Sequence, residues 1–318
     1  MLGLSVMILA VAAAAGPLFA SAILAITSWH WLFIINIPSA IASLILSVFF
    51  LNKRKPSRAE FDRKGAALVF TLATIFSFFV MGLTKEIPAM AMVSFAACML
   101  ILTELYRNQK HKADQALIPI ALCSNKTLAL SLMMSTLSYS TQLLAYVSLP
   151  FYFHNILHRD VVETGLLLTA WPLATTVTSL AAGELLKRYD CNVIASIGLG
   201  LLLAGMVLMA MLPVLPVNTD IIWRVALCGA GFGLFQSPNN FLIMTSVSSE
   251  NTSVASGLLG SSRLLGQIIG SSMVAIFLNL NEAQATSRSI LTGAIICSLS
   301  LILSFSRRST DGRTNNKK

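Results

Sequence analysis

The chain has 318 residues, 56% of them hydrophobic and only 11% charged, with a formal net charge of +9. That balance excludes an ordinary soluble domain. The cations fall in short stretches between apolar runs and not on one basic patch, which argues against nucleic acid and makes the lipid bilayer the implied partner of an all-α polytopic membrane protein.

At about 20 apolar residues per helical crossing, ten spans are expected, near 3–26, 31–51, 66–84, 87–106, 128–152, 163–183, 192–212, 222–245, 255–279 and 288–306. Met1 runs straight into the first of them without a basic n-region, so no cleavable leader is expected. Of the 22 Lys and Arg, seventeen fall on one side, in 52–64, 107–126, Lys187-Arg188 and 307–318. Lys85, Arg159, Arg224 and Arg288 fall on the other, and Arg263 lies inside a span. This asymmetry places both termini in the cytoplasm.

The first span carries Ala12, Gly16 and Ala20 at four-residue intervals, a row that lets a neighbouring helix approach closely, and Pro17, which removes a backbone donor and bends the helix. Trp29-His30-Trp31 through Asn36-Ile37-Pro38 then forms an aromatic turn into the second span. The basic linker 52–64 follows, suited to anionic lipid. Two spans within 65–106 form a pair with few polar groups, and 107–126 links them to the last six. In the ninth span, Gly257-x8-Gly266-x3-Gly270 repeats the spacing of Gly3-x8-Ala12-x3-Gly16, as duplicated halves of a transporter would.

The Gly3 to Ser21 run resembles the antiporter motif of the fifth helix in drug exporters of the major facilitator superfamily, with Ala12, Ala20 and Ser21 where that motif prefers glycine. The Trp29–Pro38 turn resembles the fourteen-helix branch, the EmrB/QacA type and its SmvA-like methyl viologen exporters. Gly183-Glu184-Leu185-Leu186-Lys187-Arg188 resembles a worn copy of the superfamily's G-x-L-x-D-R loop, keeping Gly183, Leu185 and Arg188, with Lys187 in place of the aspartate. The resemblance implies a partial major facilitator fold lacking its first four helices. Residues 1–51 would be the last two helices of the N-terminal bundle, 65–106 two inserted helices, 127–306 a complete six-helix bundle and 307–318 a basic cytoplasmic tail.

Polar residues inside spans are costly in hydrocarbon and are expected to line a cavity. The fifth span offers Ser135, Ser138, Tyr139, Gln142 and Tyr146 on one side of a helix. The sixth has Trp171 before Pro172, where an organic cation could meet a π face. The eighth adds Gln236, Asn239 and Asn240, and the ninth Arg263 and Gln267. The alternative for each is a hydrogen bond between helices.

No catalytic constellation, phosphate loop or metal-ligand spacing is visible, and His154 and His158 lack a third ligand. The five cysteines stand singly. No Asp or Glu lies near the middle of a span. The resemblance therefore implies part of a proton-coupled multidrug antiporter of the bacterial inner membrane for lipophilic or quaternary cations such as methyl viologen. It would use no cofactor beyond the proton gradient, and alone it is expected to be inactive. The alternatives are a nonfunctional remnant or partner of a full-length exporter, and an uptake permease for a neutral solute.

Overall fold

The computed structural model describes residues 16, 19–50, 62–85, 87–112, 125–213, 215–248 and 251–315. Every regular element among them is helical: α1 Trp31–Ile34, α2 Asn36–Phe50, α3 Arg63–Thr84, α4 Pro88–Lys112, α5 Lys126–Phe151, α6 Val161–Leu185, α7 Cys191–Ala210, α8 Asn218–Thr245, α9 Thr252–Leu280 and α10 Glu282–Asn315. Residues 19–26 are helical as well. The rest of the first expected span, with Gly3, Ala12 and Pro17, lies outside the described residues.

Polar residues in the loops start the helices by accepting from the first free backbone donors. Asn125 Oδ1 accepts from Thr127 N at 3.0 Å, Asp160 Oδ1 from Glu163 N at 2.6 Å and Asp190 Oδ1 from Asn192 N at 2.7 Å. Asp62 caps α3 through Gly65 N at 2.9 Å and also accepts from Asn108 and Gln109 on α4, which ties the two helices into a hairpin. α5 holds Pro150 near its end and passes at Phe151 into a π-helical turn, Tyr152–Ile156.

Helices α5 to α10 form a six-helix bundle in which α5 packs on α8, α9 and α10, and α8 packs on α6 and α7. The seams close because glycines remove side chains where backbones meet. A Cβ built on Gly229 would stand 2.9 Å from the Trp171 carbonyl carbon on α6, and one on Gly231 2.7 Å from Gly198 O on α7. The buried core between them includes Met134, Leu149, Phe153, Leu167, Leu199, Leu202, Met206, Val225 and Phe232. Leu173, Val177, Phe241, Leu264, Ile295, Ile302 and Phe305 point outward, the arrangement expected of a lipid-facing surface.

Seven helical segments among the described residues are long and apolar enough to cross a membrane. α5 and α8 fall short of that measure because they hold the polar residues of the bundle, and they occupy its centre. The hairpin α3–α4 packs mainly on itself and meets the bundle where Asn279 Nδ2 of α9 donates to Thr84 O. No residue of α1 or α2 is buried.

Candidate functional site

Residue offsets of three, four, seven and eleven spread Ser135, Ser138, Tyr139, Gln142 and Tyr146 over roughly 100° of the α5 surface. The two edges of that arc meet different neighbours. On one edge, Tyr139 Oη accepts from Gln236 Nε2 of α8 at 2.6 Å, and the Arg263 guanidinium of α9 lies 5.5 Å over the Tyr139 ring. The ring also meets Phe232 edge-on at 5.1 Å. Tyr146 meets Trp171 of α6 at 5.5 Å, and Trp171 lies 6.5 Å from Phe232. Tyr139 itself is buried at 6% exposure and its ring packs in the core, while Gln142, Tyr146, Gln236, Asn240, Arg263 and Gln267 are half-buried. The result is a polar face drawn from α5, α8 and α9, with the buried Trp171 of α6 packed behind it.

The other edge does not face this wall, which corrects three expected cavity residues. Ser138 Oγ lies 3.4 Å from Ser300 Oγ of α10, inside a helix contact. Ser135 and Asn239 are buried in a second polar cluster, where Asn239 Nδ2 donates to Ser135 Oγ at 3.1 Å and to Ser131 O at 3.0 Å. Trp171 is also corrected as an open π face: it is 1% exposed, because Gly229 lets α8 press on its backbone while Tyr146 and Phe232 flank its ring.

The centre of the second cluster is a residue that the sequence reading counted with the tail. Arg307 is fully buried near the end of α10. Its Nε donates to Asn192 Oδ1 at 2.6 Å, and its Nη1 donates to Ser131 Oγ at 2.8 Å and Asn239 Oδ1 at 2.7 Å. One guanidinium thus clasps α5, α7, α8 and α10 at one end of the bundle. The signal available in the sequence was a helix-forming, apolar run leading straight into Arg307, yet an arginine at the close of such a run also reads as an interface anchor.

At the opposite end, Arg224 of α8 donates to Asp220 Oδ1 at 3.0 Å and also to Leu208 O of α7. Trp223 Nε1 donates to the same Asp220 oxygen at 2.9 Å. These donors hold the Asp220 carboxyl below the ordinary aspartate range, Arg224 most strongly. Glu163 at the start of α6 accepts from Asn218 of α8 and pairs with Arg159 at 3.2 Å.

The expected helix-packing residues separate by position. Gly266 and Gly270 seat α9 on α5, where a Cβ would stand 2.9 Å from Tyr139 Cβ and 2.5 Å from Ser140 O respectively. Among the described residues nothing lies within 4 Å of a Cβ built on Gly16 or Gly257, and Ala20 is half-buried. Gly183, in the last turn of α6, and Arg188, in the α6–α7 loop, are exposed, while Lys187 pairs with Glu184 of that last turn at 2.8 Å. His154 Nδ1 lies 3.2 Å from Arg159 O, and no cluster of metal-ligating side chains occurs among the described residues.

Residues 1–271 match the sequence profile of the Major Facilitator Superfamily. The chain belongs to that superfamily. It is 41% identical over 309 residues to the uncharacterized transporter YebQ of Escherichia coli K12, covering 95% of this chain and 67% of YebQ. Similarity extends at 24% identity to the riboflavin transporter RibZ of Clostridioides difficile, over 93% of this chain and 67% of RibZ. At 22% identity it reaches the multidrug efflux pump SdrM of Staphylococcus aureus, over 91% of this chain and 64% of SdrM. The chain spans about two thirds of the length of these relatives. A membrane transporter of the superfamily moves its substrate through a cavity lined by such half-buried polar and aromatic side chains, which gives the α5–α8–α9 wall its functional interest.

Proposed function

We propose that the chain supplies one wall of the transport cavity of a multidrug efflux antiporter of the EmrB/QacA type, for lipophilic or quaternary organic cations such as methyl viologen. The observation that carries this reading is the convergence of Tyr139, Gln236 and Arg263 from three helices, with Tyr146 two turns along α5. Aromatic rings attract organic cations and amides orient them, while a wall with few fixed bonds tolerates many shapes. The similarity to SdrM, and at 22% identity to a multidrug resistance protein B homolog of Mycobacterium tuberculosis, supports the same reading.

The membrane is the bacterial inner membrane, with both chain ends cytoplasmic, and the driving force is the proton gradient. Residues 127–306 are the complete bundle, 65–106 the inserted pair, and Gly266 and Gly270 its close-packing positions. The wall itself holds no carboxylate among its named residues, so substrate binding is assigned to it and proton coupling to acids elsewhere.

The test is ethidium binding to the purified chain in detergent, followed by fluorescence polarisation. Micromolar binding that weakens at least tenfold in both Tyr139→Ala and Gln236→Ala, in protein that keeps its helical circular dichroism, is the expected result. Binding unaffected by either substitution overturns the assignment.

A further inference from the structure

The wall around Arg263 is short of hydrogen-bond acceptors. Arg263 Nε is buried with no hydrogen-bond partner, and no carboxylate forms an ion pair with it among the described residues. Tyr139 Oη already accepts from Gln236, which leaves its own proton to donate. Trp171 Nε1, behind Tyr146, is a second buried N–H without an acceptor. Guanidinium and indole N–H groups can only donate, and a buried donor left unmade is costly. A cation at membrane depth with only a ring face to meet is costlier still.

Tyr139 is the fourteenth of the 26 residues of α5, so Arg263 reaches toward the middle of the bundle and not toward a headgroup. Ser262, the residue before Arg263, and Gly266, one turn after it, are buried and hold this part of α9 in place. The group this arrangement lacks is an oxyanion, best a planar one that takes two parallel N–H bonds from the guanidinium fork.

Resting on the transport reading above, we infer that Arg263 is the specificity-determining residue of the wall and receives an anionic acceptor, a carboxylate in the simplest case, carried on the aromatic body of the substrate. Among the organic cations of that reading, the favoured substrates are then aromatic ones that also carry a carboxylate, with the ring near Tyr139 and the cationic end directed away from Arg263, while cations without a carboxylate, ethidium and methyl viologen among them, bind more weakly. A purely cationic ring in the same place would bring like charges to about 5 Å, which at an effective dielectric constant of about 20 is worth about a hundredfold in affinity. Water on the open side of the wall lowers that, and a preference of about tenfold is expected.

The experiment compares two probes on the purified 318-residue chain by isothermal titration: a piperazinyl quinolone carboxylic acid and its decarboxylated analogue, the same frame without the carboxylate. The native chain is expected to bind the carboxylate probe at least tenfold more tightly. Arg263→Gln removes that preference by weakening the carboxylate probe alone, and Arg263→Lys, which keeps the charge without the fork, retains part of it. Equal or tighter binding of the decarboxylated cation overturns the inference and leaves the transport reading standing. Loss of both probes together in Arg263→Gln also overturns it, since a structural role would do that. If the native chain binds neither probe nor ethidium, the wall is not a substrate site and both readings fall.

Discussion

Replacing Gly266 by alanine tests whether the α5–α9 seam is set by backbone proximity. The added Cβ would stand 2.9 Å from Tyr139 Cβ and 3.1 Å from Ser140 N, and closer still to Thr136 O. Ordinary carbon contacts begin at about 3.5 Å, so α9 must retreat from α5 by about half an ångström or more. That retreat loosens a row of contacts and lengthens the 3.0 Å bond that Ser140 Oγ donates to Gly266 O. Overpacking of this kind costs about 1–3 kcal/mol and the hydrogen bond about 1 kcal/mol, against a gain of up to about 1 kcal/mol in helix propensity. The net expectation is a loss of about 1–3 kcal/mol. Gly257→Ala is the control, because nothing lies within 4 Å of its Cβ and only the propensity gain remains. The assay is equilibrium unfolding in mixed micelles followed by circular dichroism. Equal midpoints for the two variants would refute the reasoning.

Three other outcomes are expected. Arg307→Met removes the donor to the oxygens of Asn192 and Asn239, at about 1–3 kcal/mol each, so it should lower stability by ~2–6 kcal/mol, with Arg307→Lys intermediate; thermal unfolding in detergent measures both. Asp220 has a carboxyl pKa depressed by Arg224, so its contribution is complete above the ordinary aspartate value near 3.9 and is lost as pH falls through its lower folded value. Melting temperature scanned from pH 6 to pH 2.5 should show an acid-side fall that is shallower in Asp220→Asn. Tyr139→Phe keeps the ring under Arg263 but removes the acceptor of Gln236, and should weaken ethidium binding about three- to tenfold while the melting temperature moves little.

Helix positions were legible because apolar length is a strong signal, and even the polar α5 and α8 were recognisable from the apolar residues around their amides. The wall was legible in part. Tyr139, Gln236 and Arg263 are conspicuous in the sequence because polar groups at membrane depth demand a reason, and the structure brings them together. Ser138 and Asn239 look the same on paper, yet a polar group that bonds a neighbouring helix and one that lines a cavity differ only in which helix stands opposite. The arc of α5 was read as one face, whereas α8 and α9 meet one edge of it and α10 the other. Arg307 was hidden for a different reason. Its three acceptors lie 176, 115 and 68 residues away in the chain, so no local pattern announces them.

The central claim is that the Gln236–Arg263 face, over the buried Tyr139 ring, is a substrate wall and the Ser138 face a dry helix seam. A single cysteine at Gln236 or at Ser138, in a chain whose five native cysteines are replaced, can be challenged with a membrane-impermeant maleimide in native membranes. Gln236→Cys should label and be protected by ethidium, while Ser138→Cys should stay unlabelled. Labelling of Ser138→Cys, or an unreactive Gln236→Cys, would contradict the account.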